Sequence, residues 1–430
     1  MIESGTPEAL GQAAMSYLEF VASAISTSFD LSHLPQKRQQ STWMVPSGPT
    51  GYSSQLFERD VLTVESINFS YQIGILHKGS KEQTELQQAL VACGVRMEET
   101  YYGFLVPLFA SWTDHLVGGK TVDDAIGAAT NDLMLAVFAD GVESISKYIL
   151  NGVTLDGHNM KLDNEVVLRP ITDEELWEMG TSDILLQGMH FPPYLFSTSN
   201  ILEIKIRHGV NANQEVTNRL ASLGENALAL LCMGNPGGFE CRHWGNTRNF
   251  GMGSLGRSTF GGDGRRFRRS SLGTRLDMEA VSRIRSAWPR FQRIMNQDDH
   301  FLRLPARRLV DGLQRTRDDD AVLDFSIALE TLLTSGSRSE LSYRFSLRGA
   351  MVLGWESGDR TKEFKALQSF YDVRSSIIHG DQRHKPNEIQ EARDYGEGVL
   401  RSAWWWFFNV NNDVLSRVTE MIDARILIKE

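Results

Sequence analysis

The segment Tyr371-Asp-Val-Arg374-Ser375-Ser376-Ile-Ile-His379-Gly380-Asp381 constrains this chain more than any other. It is apolar and helix-like, and it stops at a glycine. Gly380 stands where a helix C-terminal cap takes a residue with positive φ, so a helix is predicted to end there. Arg374 and His379 are five positions apart in its last turns. Successive helix residues rotate by about 100°, so the two side chains lie roughly 140° apart and do not stack on one face. They converge only if the last turn loosens or a partner surface closes the gap. Histidine titrates near neutrality and can move a proton. Arginine grips phosphate with a planar fork of donors. With the 2′-hydroxyl of RNA as nucleophile, these groups are the minimum for strand cleavage without a metal. A histidine at a helix end also serves simply to cap the last carbonyls. Spacing alone leaves both readings open.

Upstream runs His300-Phe-Leu-Arg-Leu-Pro-Ala-Arg-Arg-Leu-Val-Asp-Gly-Leu, then Asp318-Asp-Asp-Ala-Val-Leu-Asp-Phe-Ser-Ile-Ala-Leu-Glu330-Thr-Leu-Leu. Next comes Glu340-Leu-Ser-Tyr-Arg344-Phe-Ser-Leu-Arg348-Gly-Ala-Met-Val-Leu-Gly354. Two phrases stand out: Ala328-Leu329-Glu330 before a leucine pair, and Arg374-Ser375 followed after three residues by His379-Gly380. In this order the segment from 298 to 412 resembles the HEPN domains of the Apea-like group. The resemblance implies an antiparallel helical bundle that pairs with a second copy, so that two Arg/His motifs face one cleft. It implies metal-independent endoribonuclease activity without cofactor. Arg374 would stabilise the charged transition state and His379 would take or give the proton, with Ser375 and Tyr371 positioning groups nearby. It further implies prokaryotic antiviral defence or a toxin acting on tRNA or mRNA, with a regulatory partner protein or a phage-derived trigger. Some HEPN domains lack activity and serve as dimerisation or ligand-binding modules, and that regulatory role is the alternative.

Glu330 lies amid Ile327, Leu329, Leu332 and Leu333 on a helix that must face a core. A carboxylate there needs a partner. Arg344, Arg348 or Arg374 is expected to supply it, with Glu330 orienting the arginine. Arg344 and Arg348, four apart, share a helix face as structural pairs or as extra phosphate contacts.

At 430 residues the chain exceeds what one core serves. Three parts are expected: a mainly helical portion of unknown role at 1–150, an α+β region at 151–297, and the bundle at 298–430. The fold class is mainly α, with a mixed α+β but mostly helical N-terminal portion. A net charge of −10 argues against coating nucleic acid over the whole surface, yet leaves room for a local basic site. Three cysteines point to a reducing, cytoplasmic setting. The N-terminus lacks the pattern of a secretory signal, and no apolar run reaches about 18 residues, so no membrane span is expected.

Along the chain, a helix is predicted over 6–29, then a polar stretch to about 55, and strands between Val61 and Ile75. Helical spacing returns from Glu82 to Leu116. Thr121-Val-Asp-Asp124 opens a helix expected to run to about Leu150, where Asn151-Gly152 ends it. Glu165–Pro170 and Ile201–Ile206 read as strands. The stretch 246–275, dense in Gly, Ser and Arg, is predicted to be a long surface loop. From Arg257 to Arg293 there are ten arginines against three acids, a balance of +7. Arg265, Arg266, Arg268 and Arg269, interleaved with Phe267, are the candidate RNA contacts. A solvated loop and docking on an acidic surface are the competing readings. Cys232, Cys241 and His243 are one ligand short of a zinc site, and their spacing matches no ligand pattern, so no metal is expected. The Asp318–Asp320 run suits a helix start. The aromatic cluster Trp404–Phe408 suits a core or an interface.

Overall fold

The computed structural model describes residues 5–26, 36–46, 52–62, 79–117, 119–139, 142–155, 159–172, 175, 200–211, 214–234, 238–249, 265–267, 274–334, 340–357, 359–381, 383–410 and 422–423. The protein is mainly helical with a small sheet. Its chain divides into two compact units whose segments interleave: Met1–Ile149, Asn164–Ser222 and His243–Gly262 form one, and Leu150–Asp163, Leu223–Arg242 and Asp263–Glu430 the other. No helix among the described residues is long and apolar enough to cross a membrane.

The first unit begins with α1 (Pro7–Ser26), followed by the antiparallel hairpin β1 (Gln36–Pro46) and β2 (Tyr52–Leu62). Then come α2 (Lys81–Ala92), α3 (Met97–Thr100), a π-helical turn (Tyr101–Leu105), α4 (Val106–Val117), and α5 (Val122–Met134) ending in a second π-helical turn (Leu135–Ala139). Leu10, Ala14, Leu18 and Val21 recur at three- and four-residue spacing on α1 and bury one face against Leu86, Leu108, Trp112 and Ile126. Thr121 caps α5, its hydroxyl accepting from the Asp124 N–H at 3.2 Å.

The helix expected to continue to Leu150 instead stops at Ala139, and Val142–Asn151 forms strand β3. Ser144, Ser146 and Tyr148 alternate there with Ile145 and Ile149, a period of two that a helical reading of the apolar residues passes over. In this unit β3 lies between β7 (Asn200–His208) and β8 (Phe239–Asn249), and β6 (Val166–Pro170) pairs antiparallel with β7. The polar stretch before residue 55 likewise contains the β1–β2 hairpin. Beyond Leu62, the strands expected up to Ile75 lie outside the described residues.

A charged network ties this sheet together. Arg169 makes a bidentate pair with Glu175 (2.7 and 2.6 Å) and reaches Glu203 at 2.5 Å, while Lys147 donates to Glu175 at 2.8 Å. Thr172 and Glu175 form a reciprocal capping box (3.1 and 3.2 Å). Burial alone would raise the Glu175 carboxyl, but the hydrogen bonds from Arg169 and Lys147 outweigh it and pull the group down to about 2 from 4.5. A depressed carboxylate adds stability that is complete above its unfolded value and fades as pH falls through the folded one. Glu175→Gln should therefore cost on the order of 3 kcal/mol at pH 7. The difference from the wild type should shrink below about pH 4.5 and vanish near pH 2. Urea unfolding of both proteins at neutral and acid pH measures this, and a difference independent of pH would contradict it.

The second unit contains β4 (Val153–Leu155), β5 (Met160–Lys161), the end of α6 (Gln214–Gly234), β9 (Arg265–Phe267), β10 (Thr274–Leu276) and helices α7 (Met278–Met295), α8 (Arg303–Gln314), α9 (Asp318–Leu333), α10 (Leu341–Ser357), α11 (Arg360–His379) and α12 (Pro386–Asn409). The predicted loop is thus interrupted by strands: β9 pairs antiparallel with Phe239–Cys241 of β8, and β10 runs parallel to β4. Main-chain hydrogen bonding holds these strands, which side-chain composition does not reveal. Short links of 315–317 and 358–359 make α8–α9 and α10–α11 antiparallel hairpins, and α7–α12 pack together. Trp288, Phe291, Phe325, Phe345, Phe370, Trp404 and Phe407 fill the core. The aromatic run on α12 therefore packs inward. Trp404 Nε1 donates to the Leu302 carbonyl (3.0 Å) and Trp405 Nε1 to that of Met233 (2.8 Å). Aspartates 318–320 begin α9 as expected, with Asp318 paired to Arg393 and Asp319 to Arg317.

Candidate functional site

Helix α11 ends as its sequence dictates. Gly380 adopts φ 69°. Its N–H reaches the Ile377 carbonyl at 3.2 Å, and the Asp381 N–H reaches that of Ser376 at 2.9 Å. These two bonds define a Schellman cap. The last turn is therefore regular, and the roughly 140° between Arg374 and His379 persists. Ser376 is buried and Ser375 half-buried, while His379 is exposed. Among the described residues the His379 imidazole makes no hydrogen bond or ion pair. A single chain does not bring Arg374 and His379 together.

Of the three arginines that sequence offered to Glu330, the fold selects Arg374. Its Nη2 lies 3.0 Å from Glu330 Oε1 and 3.3 Å from Oε2. Only the Oε2 contact has hydrogen-bond geometry, since Oε1 is buried without an aligned donor, and Arg374 Nε is buried without an acceptor. One nitrogen therefore serves both oxygens, a looser arrangement than a two-nitrogen fork. The Tyr371 ring lies under the guanidinium, 5.2 Å from Cζ. Burial first, and then the Glu330 charge and hydrogen bond, raise the Tyr371 hydroxyl above its ordinary value, with Arg374 opposing them. Tyr371 thus stays neutral beside Glu330. Glu330, Tyr371 and Arg374 form one polar unit at the α9–α11 contact, each reachable from solvent (Arg374 22 %, Glu330 23 % exposed).

Arg348 is engaged elsewhere. It makes a fork with Asp423 (2.8 and 2.6 Å) and donates to the Leu333 carbonyl at 2.9 Å. That is a structural pair, the first of the two readings offered for it. Arg265 and Arg266 lie on β9, whereas Arg268 and Arg269 fall outside the described residues.

Sequence reasoning missed other polar clusters. Asp324 on α9, 5 % exposed, accepts from Arg308 and Arg315, each at 2.7 Å. Like Glu330, a carboxylate between Leu323 and Phe325 requires a partner. On β3, Ser144 Oγ meets His208 Nε2 at 2.8 Å and Ser146 Oγ meets His243 Nε2 at 3.0 Å. His208 Nδ1 donates to the Gly209 carbonyl (2.6 Å), so its Nε2 accepts from Ser144. That is the order of a nucleophile and base, but both serines are buried, and the pairs satisfy polar groups within the sheet. In the first unit Ser111 (2.6 Å) and His115 (3.0 Å) both meet Asp132 Oδ2. Cys232 is fully buried, which pushes its thiol up to about 12 and makes it a poor nucleophile or metal ligand. Among the described residues no group of three or more His, Cys, Asp or Glu is placed to hold a metal ion.

Comparison with known proteins finds no matching family model, no matching curated protein and no matching solved structure.

Proposed function

We propose that the protein is a metal-independent endoribonuclease of HEPN type acting through Arg374 and His379. The observation that carries this reading is the end of α11. An imidazole stands exposed at a capped helix terminus, five residues from a guanidinium that Glu330 and Tyr371 hold in place. The 2′-oxygen attacks phosphorus and the 5′-oxygen leaves. His379 takes the 2′ proton or returns one to the 5′-oxygen. Arg374 stabilises the phosphorane charge, and Ser375 lines the approach. The products are a 2′,3′-cyclic phosphate and a 5′-hydroxyl. Because the regular cap keeps Arg374 and His379 apart on one helix, a second copy of the chain completes the site in a homodimer. Cytoplasmic antiviral defence or toxicity against tRNA or mRNA is the setting that suits this chemistry, released by a partner protein or a phage-derived trigger.

A second reading has its own support. Arg374 is already paired with a carboxylate inside the chain, which suits a bundle whose Arg/His motif pairs or binds ligand without cutting. Incubating the purified chain with total RNA in EDTA separates the two. Cleavage leaving cyclic-phosphate ends supports the nuclease. Cleavage abolished by EDTA, or none with or without added divalent metal, removes it.

A further inference from the structure

The arginine-rich stretch from Arg257 to Arg293 does not end with its glycines, since its last four arginines lie on α7. The helix is sharply two-sided. Ala280, Ile284, Ala287, Trp288, Phe291 and Ile294 are buried. At about 100° per residue, Arg283, Arg285, Arg290 and Arg293 fall within an arc of roughly 160° on the opposite side. Arg283, Arg285 and Arg293 are exposed, Arg290 is half-buried, and Glu279 is the one acid on that arc.

Six arginines elsewhere in this unit are matched by acids. Arg303 pairs with Asp298, Arg308 and Arg315 with Asp324, Arg317 with Asp319, Arg383 with Asp381, and Arg393 with Asp318. On α7 this compensation is missing. Among the described residues the guanidiniums of Arg285 and Arg293 make no hydrogen bond or ion pair, and that of Arg283 donates only to the Gly234 carbonyl, at 2.9 Å. Arg290 is an anchor. It lies over the Phe408 ring (4.9 Å) and donates to the Val410 carbonyl (3.0 Å). Burial, and then the charge of Arg293, lower the Arg290 guanidinium, and burial followed by Arg290 lowers His300. Like charges therefore crowd this face on a chain whose total is −10. Self-repulsion of this kind is relieved by a polyanion.

We infer that the outer face of α7 binds the phosphates of single-stranded RNA through Arg283, Arg285 and Arg293. The choice of RNA rests on the nuclease reading above. Three guanidiniums spread over about three helical turns match a run of successive phosphates, and exposed arginine forks suit phosphate oxygens. The face binds substrate and takes no part in bond cleavage. The buried side of α7 packs on α12 through Phe291 and Trp404 (ring centroids 5.6 Å apart). Trp404 lies about 27 Å along α12 from Pro386, the end that follows His379. Only an RNA several nucleotides long spans both places.

The test uses the full chain carrying His379→Ala, which prevents cutting, and a fluorescein-labelled mixed-sequence single-stranded RNA of about 20 nucleotides. Anisotropy measures Kd from about 0.05 to about 0.5 M salt. Replacing Arg283, Arg285 and Arg293 with serine should make the log–log salt slope shallower by about 2 and weaken binding about 40-fold at 0.15 M salt. Lysine at the same three positions should retain most of the slope. Unchanged affinity and slope in the serine variant, equal loss in the lysine variant, or equally tight binding of duplex DNA would each overturn the inference. The readout is separate from cleavage. Salt-dependent binding lost with these arginines, in a wild-type chain that never cuts RNA, refutes the nuclease and keeps the interface. Cutting by a wild-type chain whose serine variant binds unchanged does the reverse.

Discussion

His379→Ala should lower the rate of RNA cleavage by roughly 10²–10⁴, the loss expected when a general acid–base is removed. Its imidazole is exposed and forms no hydrogen bond or ion pair among the described residues, so the melting temperature should stay within about a degree of the wild type. Arg374→Ala should cost about 10²–10³ through lost charge stabilisation. It also strands Glu330, so a small loss of stability accompanies it. Arg374→Lys keeps the charge without the fork and should recover folding but little of the rate. Single-turnover cleavage by each variant, beside thermal melts, measures these expectations. A His379→Ala protein that cuts as fast as the wild type would assign the chemistry elsewhere. Light scattering extends the test, since activity retained in a monomer at micromolar concentration would contradict the completion of the site by a second copy.

The largest structural loss is expected at Phe325. Its ring is fully buried on α9 against Gly312 of α8, where a Cβ would collide with ring atoms. It also meets Gly396 of α12, at which a Cβ would stand 3.5 Å from the Phe325 ring and 2.5 Å from that of Phe370. Gly312 thus admits the Phe325 ring, and Gly396 admits that of Phe370 beside it. Phe325→Ala should destabilise the second unit by about 4 kcal/mol, from lost transfer energy and the cavity left behind. Phe325→Leu should cost about 1.5 kcal/mol. Gly312→Ala should also destabilise, by about 2 kcal/mol, because the well-packed ring has little room to withdraw. Urea denaturation monitored by tryptophan fluorescence measures all three. A loss below 1 kcal/mol for Phe325→Ala would show that the site collapses around the missing ring.

What the sequence determines by itself is local. Gly380 marks the end of α11 because positive φ suits only a residue without Cβ, and the cap bonds form within six residues. Thr121 opens α5 and Asp318 opens α9 for equally short-range reasons. The arginine excess of 257–293 is a matter of counting. The need of Glu330 for a partner follows from its leucine neighbours.

Only the tertiary structure decides which groups meet. Arg344, Arg348 and Arg374 were equal candidates for Glu330 in sequence. Packing of α11 on α9 delivers Arg374, while Arg348 turns to Asp423. The same dependence on distant chain explains the errors. Val142–Asn151 is a strand because β7 and β8 flank it, and β9 exists because Phe239–Cys241 bonds to it. A strand's hydrogen bonds go to partners that propensity and periodicity along one segment do not register. The separation of α7's arginines from their acidic counterparts is likewise a property of the fold. Sequence supplies the charges, and the burial of Ile284, Trp288 and Phe291 turns them outward together.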